Sequence, residues 1–508
     1  MLSRRAVLGA GAAALTGSAI ASARPASAGP GSAGPAEAGS APARPRARPA
    51  TGRRGTPNWT ALAASLDGTV DLPGTAGYDS ARQLADPRFD HIRPPAVARC
   101  AHAADVAEVI RFARREHVPV VTRGGGHSYV GASTATAGVV LDLRSLAGIR
   151  YDWGSQTASI GGGARLIDVY NRLGAAGRAI PSGSCGSVGI SGITLGGGIG
   201  MASAKYGLTC DSVTAAEVVT ADGSRRTVDA DRDRDLFWAL RGGGGSQFGV
   251  VTGWRMRTHR STSVGSFVLT YPWRDAARVV AGWQARLAAA PDETWSTCQL
   301  ASDARGRLSV RISGVVLEGD PAAEAAEIAR AAGIDPADAK LERRPHLDVV
   351  HDRAGCADRE GCAERSIQLA GSEIFRTVLP GPAIAALLAA VERRARERKP
   401  GIAKFKRLTG APSRVAPEAT AFPWRDAHTM LQWLVLPADS GSSSESDGYA
   451  WIESGHRAMS RWSAGRYVNY LEPSPASLPR YYGANFSRLR WIRATVDPQA
   501  LFRSPYAL

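Results

Sequence analysis

The chain has 508 residues, 44% hydrophobic and 21% charged, the balance of an ordinary globular protein of two or three domains. Its formal charge is +16, but residues 1–54 hold eight Arg against one acid, Glu37, and the rest of the charge is scattered over more than 450 residues. No basic stripe interleaved with aromatics and no DNA-binding motif occurs, so nucleic acid is excluded as a partner; no run of 18 apolar residues follows the leader, so no mature membrane span is expected; and six Cys without a C-x-x-C leave no zinc site, so no metal is expected.

Residues 1–28 read as an export signal. Ser3-Arg4-Arg5-Ala6-Val7-Leu8 is a twin-arginine pattern, and an Ala/Gly/Leu-rich stretch ends in the small residues Ala26-Ser-Ala28. The expectation is export by the twin-arginine route into a secreted, extracellular setting. Residues 29–57 are mostly Ala, Pro, Gly, Ser and Arg, which cannot bury enough apolar surface to fold, so a disordered linker is expected.

The fold begins near Thr60. Residues 92–100 look extended, and a helix opens at Ala104 with Asp105 as its N-cap and Val106, Val109, Ile110 and Ala113 at helical spacing. A strand over Val118–Thr122 runs into Arg123-Gly124-Gly125-Gly126-His127-Ser128-Tyr129. Short strands follow over 138–143, 149–152 and 157–160, then a helix ending near Leu173. A second glycine loop reads Pro181-Ser-Gly183-Ser184-Cys185-Gly-Ser-Val188-Gly189 and continues through Gly192 to Gly197-Gly198. A strand over 213–220, the turn Asp222-Gly223 and a return strand over 226–229 form a hairpin. A short helix from Asp235 stops on four glycines before Ser246-Gln247-Phe-Gly249-Val-Val251.

Residues 263–465 change character. Strand-like runs (266–271, 308–316, 368–370, 430–436) alternate with Ala-rich helices (276–289, 321–332, 382–397), which suits an antiparallel sheet with helices on one face. Residues 440–448 read as a polar surface loop. Cys356 and Cys362 are close enough for a disulfide but equally readable as free thiols; Cys100, Cys210 and Cys298 suit the core. The chain ends with Tyr467-Val-Asn469-Tyr470 and Tyr481-Tyr482-Gly-Ala-Asn485.

Triple glycine removes every Cβ, so backbone N–H groups can approach a bulky anion closely. Neither loop carries a Gly-Lys-Ser/Thr or a G-x-G-x-x-G between strand and helix. A pyrophosphate held by loops without a Rossmann unit is the physical reading.

Arg123 to Tyr129 together with Ser184-Cys-Gly-Ser-Val188-Gly-Ile resembles the berberine-bridge-enzyme-like branch of the FAD-linked oxidases, in the vanillyl-alcohol oxidase superfamily. The resemblance is strong over roughly residues 90–260 and 465–505. It implies an α+β chain: a two-part FAD-binding domain of the PCMH type (58–262, completed by 466–508) and a substrate-binding domain with a helix-covered antiparallel sheet (263–465). It implies FAD held bicovalently, by His127 at the 8α carbon and Cys185 at C6. The residues it places around the cofactor are Arg123, Gly124, Gly125, Gly126, Ser128, Gly183, Ser184, Val188, Gly189, Gly192, Gly197, Gly198, Gly249, Val251, Tyr482 and Asn485. It further implies Tyr470 as the base that takes a hydroxyl proton, with Tyr129 and Gln432 lining the pocket. A phenol titrates near pH ~10, so a neighbouring cation or donor is required; the sequence does not name it. The small Val188 favours reaction with oxygen. The expected function is an exported oxidase acting on a hydroxyl of a sugar, oligosaccharide or natural product and producing hydrogen peroxide. The alternatives are a dehydrogenase with another electron acceptor, an oxidative cyclase or tailoring enzyme, and a flavin-binding protein with a dead pocket. Two departures bear on the site: Ser246-Gln247 stand where Gly-Asn is common, and Leu471-Glu472 follow Asn-Tyr where Asp-Leu is usual.

Overall fold

A computed structural model of the chain describes residues 56–508 apart from positions 246, 363, 438–440, 475–476 and 505. The export signal, nearly all of the linker and Ser246 lie outside the described residues.

Three sheets position the functional side chains. In the first, the order is Thr69–Asp71, Ala96–Arg99, Val139–Asp142, Val120–Arg123. The last three are parallel because the helix Ala103–Arg115 crosses between two of them. Asp105 is not the N-cap. The helix starts at Ala103, and Asp105 is buried in its first turn, accepting from the backbone N–H groups of Asp67, Gly68 and Ala101 at 3.1, 3.0 and 2.8 Å. The second sheet is antiparallel, in the order Ile149–Asp152, Thr157–Gly161, Val250–Arg257, Val213–Val219, Arg225–Asp229. The C-terminal segment returns to the first sheet. Val120 N–H donates to Leu501 O at 2.9 Å and Arg503 N–H to Val120 O at 3.1 Å, while the Asp497 carboxylate accepts from the N–H groups of Leu501 and Phe502.

The third sheet has seven antiparallel strands, in the order Asp338–Pro345, Ser263–Tyr271, Leu308–Val316, Thr294–Ser302, Gly401–Arg407, Thr429–Val435, Leu369–Phe375. Strand alternation splits its residues between two faces. Phe267, Leu269, Ile312, Cys298, Leu300, Ala403, Phe405, Leu431 and Trp433 are buried against the helices Ala276–Ala289, Pro321–Ala332, Gly381–Arg396 and Ser442–Met459. Burying each large side chain contributes about 1.5–3 kcal/mol. The opposite face carries Arg311, Gln299, Lys404, Lys406 and Gln432. The helix Ser442–Met459 overlaps the expected polar loop over 440–448; its Gly448 packs on Leu369, and Trp451 and Ile452 enter the core. Cys356 and Cys362 are joined in a disulfide, and Cys100, Cys210 and Cys298 are buried free thiols.

A buried ionic clamp ties this sheet to the C-terminal segment. His456 lies between two carboxylates: Nδ1 meets Glu373, and Nε2 is 2.6 Å from Glu472 Oε2. Arg466 donates to the same Glu472 oxygen at 3.1 Å and the Tyr481 hydroxyl to the other at 3.4 Å. Glu472 is therefore a buried anchor for the loop that carries Tyr470. Burial alone would lower the His456 pKa; the two carboxylates outweigh it and raise it to about 9. A pKa raised on folding gives stability that is full below the unfolded value and is lost as pH rises through the folded one. The Tm of the protein should accordingly fall as pH is raised from about 6.5 through about 9, and His456→Gln should have a lower Tm at neutral pH with that alkaline step flattened. Differential scanning calorimetry across this range checks both.

Candidate active site

The two glycine loops meet backbone to backbone. A Cβ on Gly125 would stand 2.3 Å from Gly189 N, and a Cβ on Gly189 would stand 2.4 Å from Gly125 N. Only glycine permits this approach. The His127 ring hydrogen-bonds the backbone of Ser187, two residues beyond Cys185. Burial pushes His127 down to about 4, and the nearby Arg165 adds to the shift, so the imidazole is neutral at physiological pH. Cys185 is exposed, with Sγ 3.5 Å from Ser187 Oγ. The disulfide lies beneath this loop: a Cβ on Gly186 would meet Cys362 Sγ at 2.7 Å and Cys356 Sγ at 2.9 Å.

Gly124 and Gly192 present open space on the side a Cβ would occupy. Glycines with such open space let backbone N–H groups approach a flat, anionic cofactor closely. Gly126 has a left-handed φ of 71°. Gly197 and Gly198 make close contacts with the chain itself: their Cβ positions meet the Phe422 ring and Thr209 Oγ1. Gly183 packs against Ile193, and Ser184 is exposed beside Cys185. Ser128 Oγ accepts from Ala132 N–H at 3.1 Å and shapes the turn after His127. Val188 is half-buried, and its N–H donates to Cys185 O at 3.3 Å. Gly249 and Val251 are buried at the start of the strand Val250–Arg257.

Other expected cofactor contacts are turned elsewhere. Arg123 is buried in an ion pair with Asp142 at 2.8 Å and also bonds the Ala81 carbonyl. It braces the strand that launches the first loop. The Tyr482 hydroxyl accepts from Gln247 Nε2 at 3.3 Å, behind Gly244. Asn485 Nδ2 donates to Ala421 O at 3.1 Å. The Gln247 side chain also accepts from Leu508 N–H at 2.8 Å, so it holds the C-terminus in place.

Over the loops stand the chemical groups. Tyr129 and Tyr470 pack edge to face with ring centroids 5.6 Å apart, and the buried Gln432 hydrogen-bonds the Tyr129 hydroxyl. Burial raises Tyr129 well above the usual phenol value, with Tyr470 and Cys185 adding to the shift; burial likewise raises Tyr470, with Cys185 adding. The residue that sequence reasoning missed is Lys406. Its Nζ donates to the Tyr470 hydroxyl and lies 4.9 Å from the ring centroid. Burial pushes this ammonium down to about 8. The signal was present: the chain has 57 Arg and five Lys, and two of those Lys stand two apart in the alternating run Gly401-Ile-Ala-Lys404-Phe-Lys406-Arg407. A groove of about 730 Å³ beside Asp222, Asp233, Asp235 and Trp491 contains none of these residues. Asp222 and Asp233 are ion-paired with Arg226 and Asp235 with Arg488, while Asp497 accepts from backbone N–H groups.

Two family models match the chain: FAD binding domain over residues 94–229, and berberine and berberine like over residues 466–507. An uncharacterized FAD-linked oxidoreductase of Bacillus subtilis, YgaK, is 31% identical over 448 residues, covering 86% of this chain and 96% of that protein. The berberine bridge enzyme-like D-1 of Nicotiana tabacum is 30% identical over 451 residues, with 77% of this chain and 78% of that one covered. Chitooligosaccharide oxidase has the same fold at a TM-score of 0.80 and 21% identity, over 88% of this chain and 98% of that chain. The chain belongs to the berberine-bridge-enzyme-like FAD-linked oxidoreductases.

The contact between the loops gives a direct test. Gly125→Ala forces the loops apart against backbone, at about 1–3 kcal/mol; it should lower Tm and the flavin-to-protein absorbance ratio together. Gly124→Ala, whose Cβ finds its nearest atom at 3.9 Å, should keep the wild-type Tm while losing flavin. Equal melting temperatures for Gly125→Ala and wild type would contradict the locked arrangement.

Proposed function

We propose that this protein is an exported oxidase that converts an alcohol to a carbonyl, with FAD attached through both His127 and Cys185. The reading is carried by one observation, the contact of Lys406 with Tyr470 across from the two attachment residues. When bound, FAD supplies the acceptor for the hydride leaving the carbinol carbon and passes both electrons to oxygen, giving hydrogen peroxide. The protein's part is the proton. Tyr470 takes it from the substrate hydroxyl as the hydride leaves, and Lys406 holds the charge on the phenolate.

Burial disfavours a lone phenolate and a lone ammonium alike, but the adjacent pair is neutral overall. Removing one proton from phenol plus ammonium leaves either phenolate with ammonium or phenol with amine. These are two forms of one protonation state, and the apparent pKa belongs to the pair. Tyr129, held by Gln432, walls the pocket beside Tyr470. The neutral His127, fixed on the Ser187 backbone, is in the state that a nucleophilic nitrogen needs for attachment.

Similarity to the xylooligosaccharide oxidase of Thermothelomyces thermophilus, 29% identical over 446 residues, supports a carbohydrate-like hydroxyl as substrate. The small Val188 beside Cys185 supports oxygen as acceptor. The twin-arginine pattern and the Cys356–Cys362 disulfide support export to an oxidising compartment.

Peroxide release should be measured with a panel of oligosaccharides and natural-product alcohols. Tyr470→Phe should lower kcat/KM by on the order of 10²–10⁴-fold with the flavin spectrum unchanged. In the wild type kcat/KM should rise with pH with an apparent pKa of about 8, because deprotonating the pair makes the base; in Lys406→Met that step should disappear from this range. Full turnover in Tyr470→Phe would refute the assignment. Reduced flavin that is inert to air would transfer the electrons to another acceptor.

A further inference from the structure

Lys406 has a use, but its neighbour Lys404 does not. Strand register places both on the sheet face that bears Gln432, since Lys404 and Lys406 are two apart and Lys404 pairs with Gln432. On the other side Lys404 pairs with Gln299, and Gln299 pairs with Arg311. One row across four strands therefore reads Arg311, Gln299, Lys404, Gln432. In the next row, Lys406 is beside Thr297 and Thr297 beside Ser313. Arg353, from the helix His346–Ala354, donates to Ser313 Oγ at 3.3 Å and to Gly314 O at 3.1 Å, which brings a further guanidinium to this face.

Among the described residues, the exposed Arg311 and the half-buried Arg353, Lys404 and Lys406 make no ion pair with a carboxylate, while most of the fully buried cations do: Arg123 with Asp142, Arg394 with Asp447, Arg425 with Asp211. The acid on the same row, Asp338, pairs with Thr270, two strands from Arg311 and about 10 Å away. Asp352, next to Arg353, is taken by Arg344. Burial and the three other cations push Lys404 down to about 7, as expected for an ammonium whose counterion is missing. A partly buried cluster of one sign is costly unless something of opposite charge completes it. Among the described residues no carboxylate pairs with it.

We propose that the substrate is an acidic hydroxy compound whose oxyanion, a carboxylate or a phosphate, is bound by Lys404 with Arg311 and Arg353. Two residues along a strand span about 7 Å, so the anion sits about one sugar ring from the hydroxyl that Lys406 and Tyr470 address. Gln299, between Arg311 and Lys404, supplies a neutral donor. The placement rests on the oxidase reading of the Tyr470 side of the cleft, but the anion site can be tested apart from turnover.

The holoenzyme should be titrated with matched probes: digalacturonate against its dimethyl ester, and glucose 6-phosphate against glucose. Flavin absorbance changes and the thermal shift read binding; peroxide reads turnover. At low salt one or both anionic probes should bind about tenfold or more tightly than the neutral partner. On the order of 0.5 M salt should erase the difference. Lys404→Met should erase it too, and Arg311→Gln, at an exposed position that leaves the fold intact, should reduce it. Preference for the carboxylate pair or the phosphate pair identifies the source of the oxyanion. Anion binding that depends on Lys404 without peroxide would uphold this proposal and remove the oxidase reading. Peroxide from the neutral probes at rates equal to the anionic ones, or no response to either anion, would overturn the proposal.

Discussion

The contact between Gly125 and Gly189 is the constraint on which the site depends. Neither residue has a side chain, and that absence lets two loops 64 positions apart in sequence touch through backbone. The contact is held from both sides. Arg123 and Asp142, a buried pair, fix the strand leading into the first loop. The disulfide and the helix Leu166–Gly174 support the second, with Ile167 and Leu166 donating to Gly186 O and Val188 O, each at 2.9 Å. His127 and Cys185 inherit their proximity from this joint. A side chain at either glycine would separate them before any chemistry began.

The second half of the site comes from a different part of the chain and a different physical rule. A seven-stranded sheet covered on one face by four helices must turn its other face somewhere, and that face overlooks the loops. Period-two alternation puts Ala403 and Phe405 into the helical core and Lys404 and Lys406 over the cleft. The Tyr470 loop then reaches the sheet from the C-terminal segment, tied down by Glu472 to His456 and Arg466. The base and its cation are thus supplied by two elements joined through a buried ionic clamp. Asn469 adds a third tie, donating to Ile193 O at 3.1 Å and to the Tyr467 hydroxyl at 2.9 Å.

Much of this was legible in the sequence because glycine, His and Cys at fixed positions are demands of backbone geometry and chemistry that few other patterns make. The loops, the two-part domain and the helices over 276–289 and 321–332 follow from such local signals. The strands Thr294–Ser302 and Gly401–Arg407 were not legible, since their alternation includes Ser, Thr and Lys on a face whose burial comes from another domain segment. The helix Ser442–Met459 was hidden by a polar first turn, Ser442-Ser-Ser-Glu445, whose exposed and half-buried residues start a helix rather than marking a loop. Asn485 and Tyr482 carried the pattern of cofactor contacts, yet their side chains bond Ala421 O and Gln247. Glu472 looked like a disturbed substrate residue and is instead an anchor. Sequence spacing gives the position of a side chain on its element; which neighbour meets it is decided by packing across hundreds of residues.

The most direct test of the account is the covalent state of the cofactor. The purified protein should be precipitated in acid, the pellet digested, and the peptides analysed by mass spectrometry. The account predicts a yellow pellet in which one flavin bridges the peptide containing His127 and the peptide containing Cys185. Colour released entirely to the supernatant, with both peptides unmodified, would contradict it.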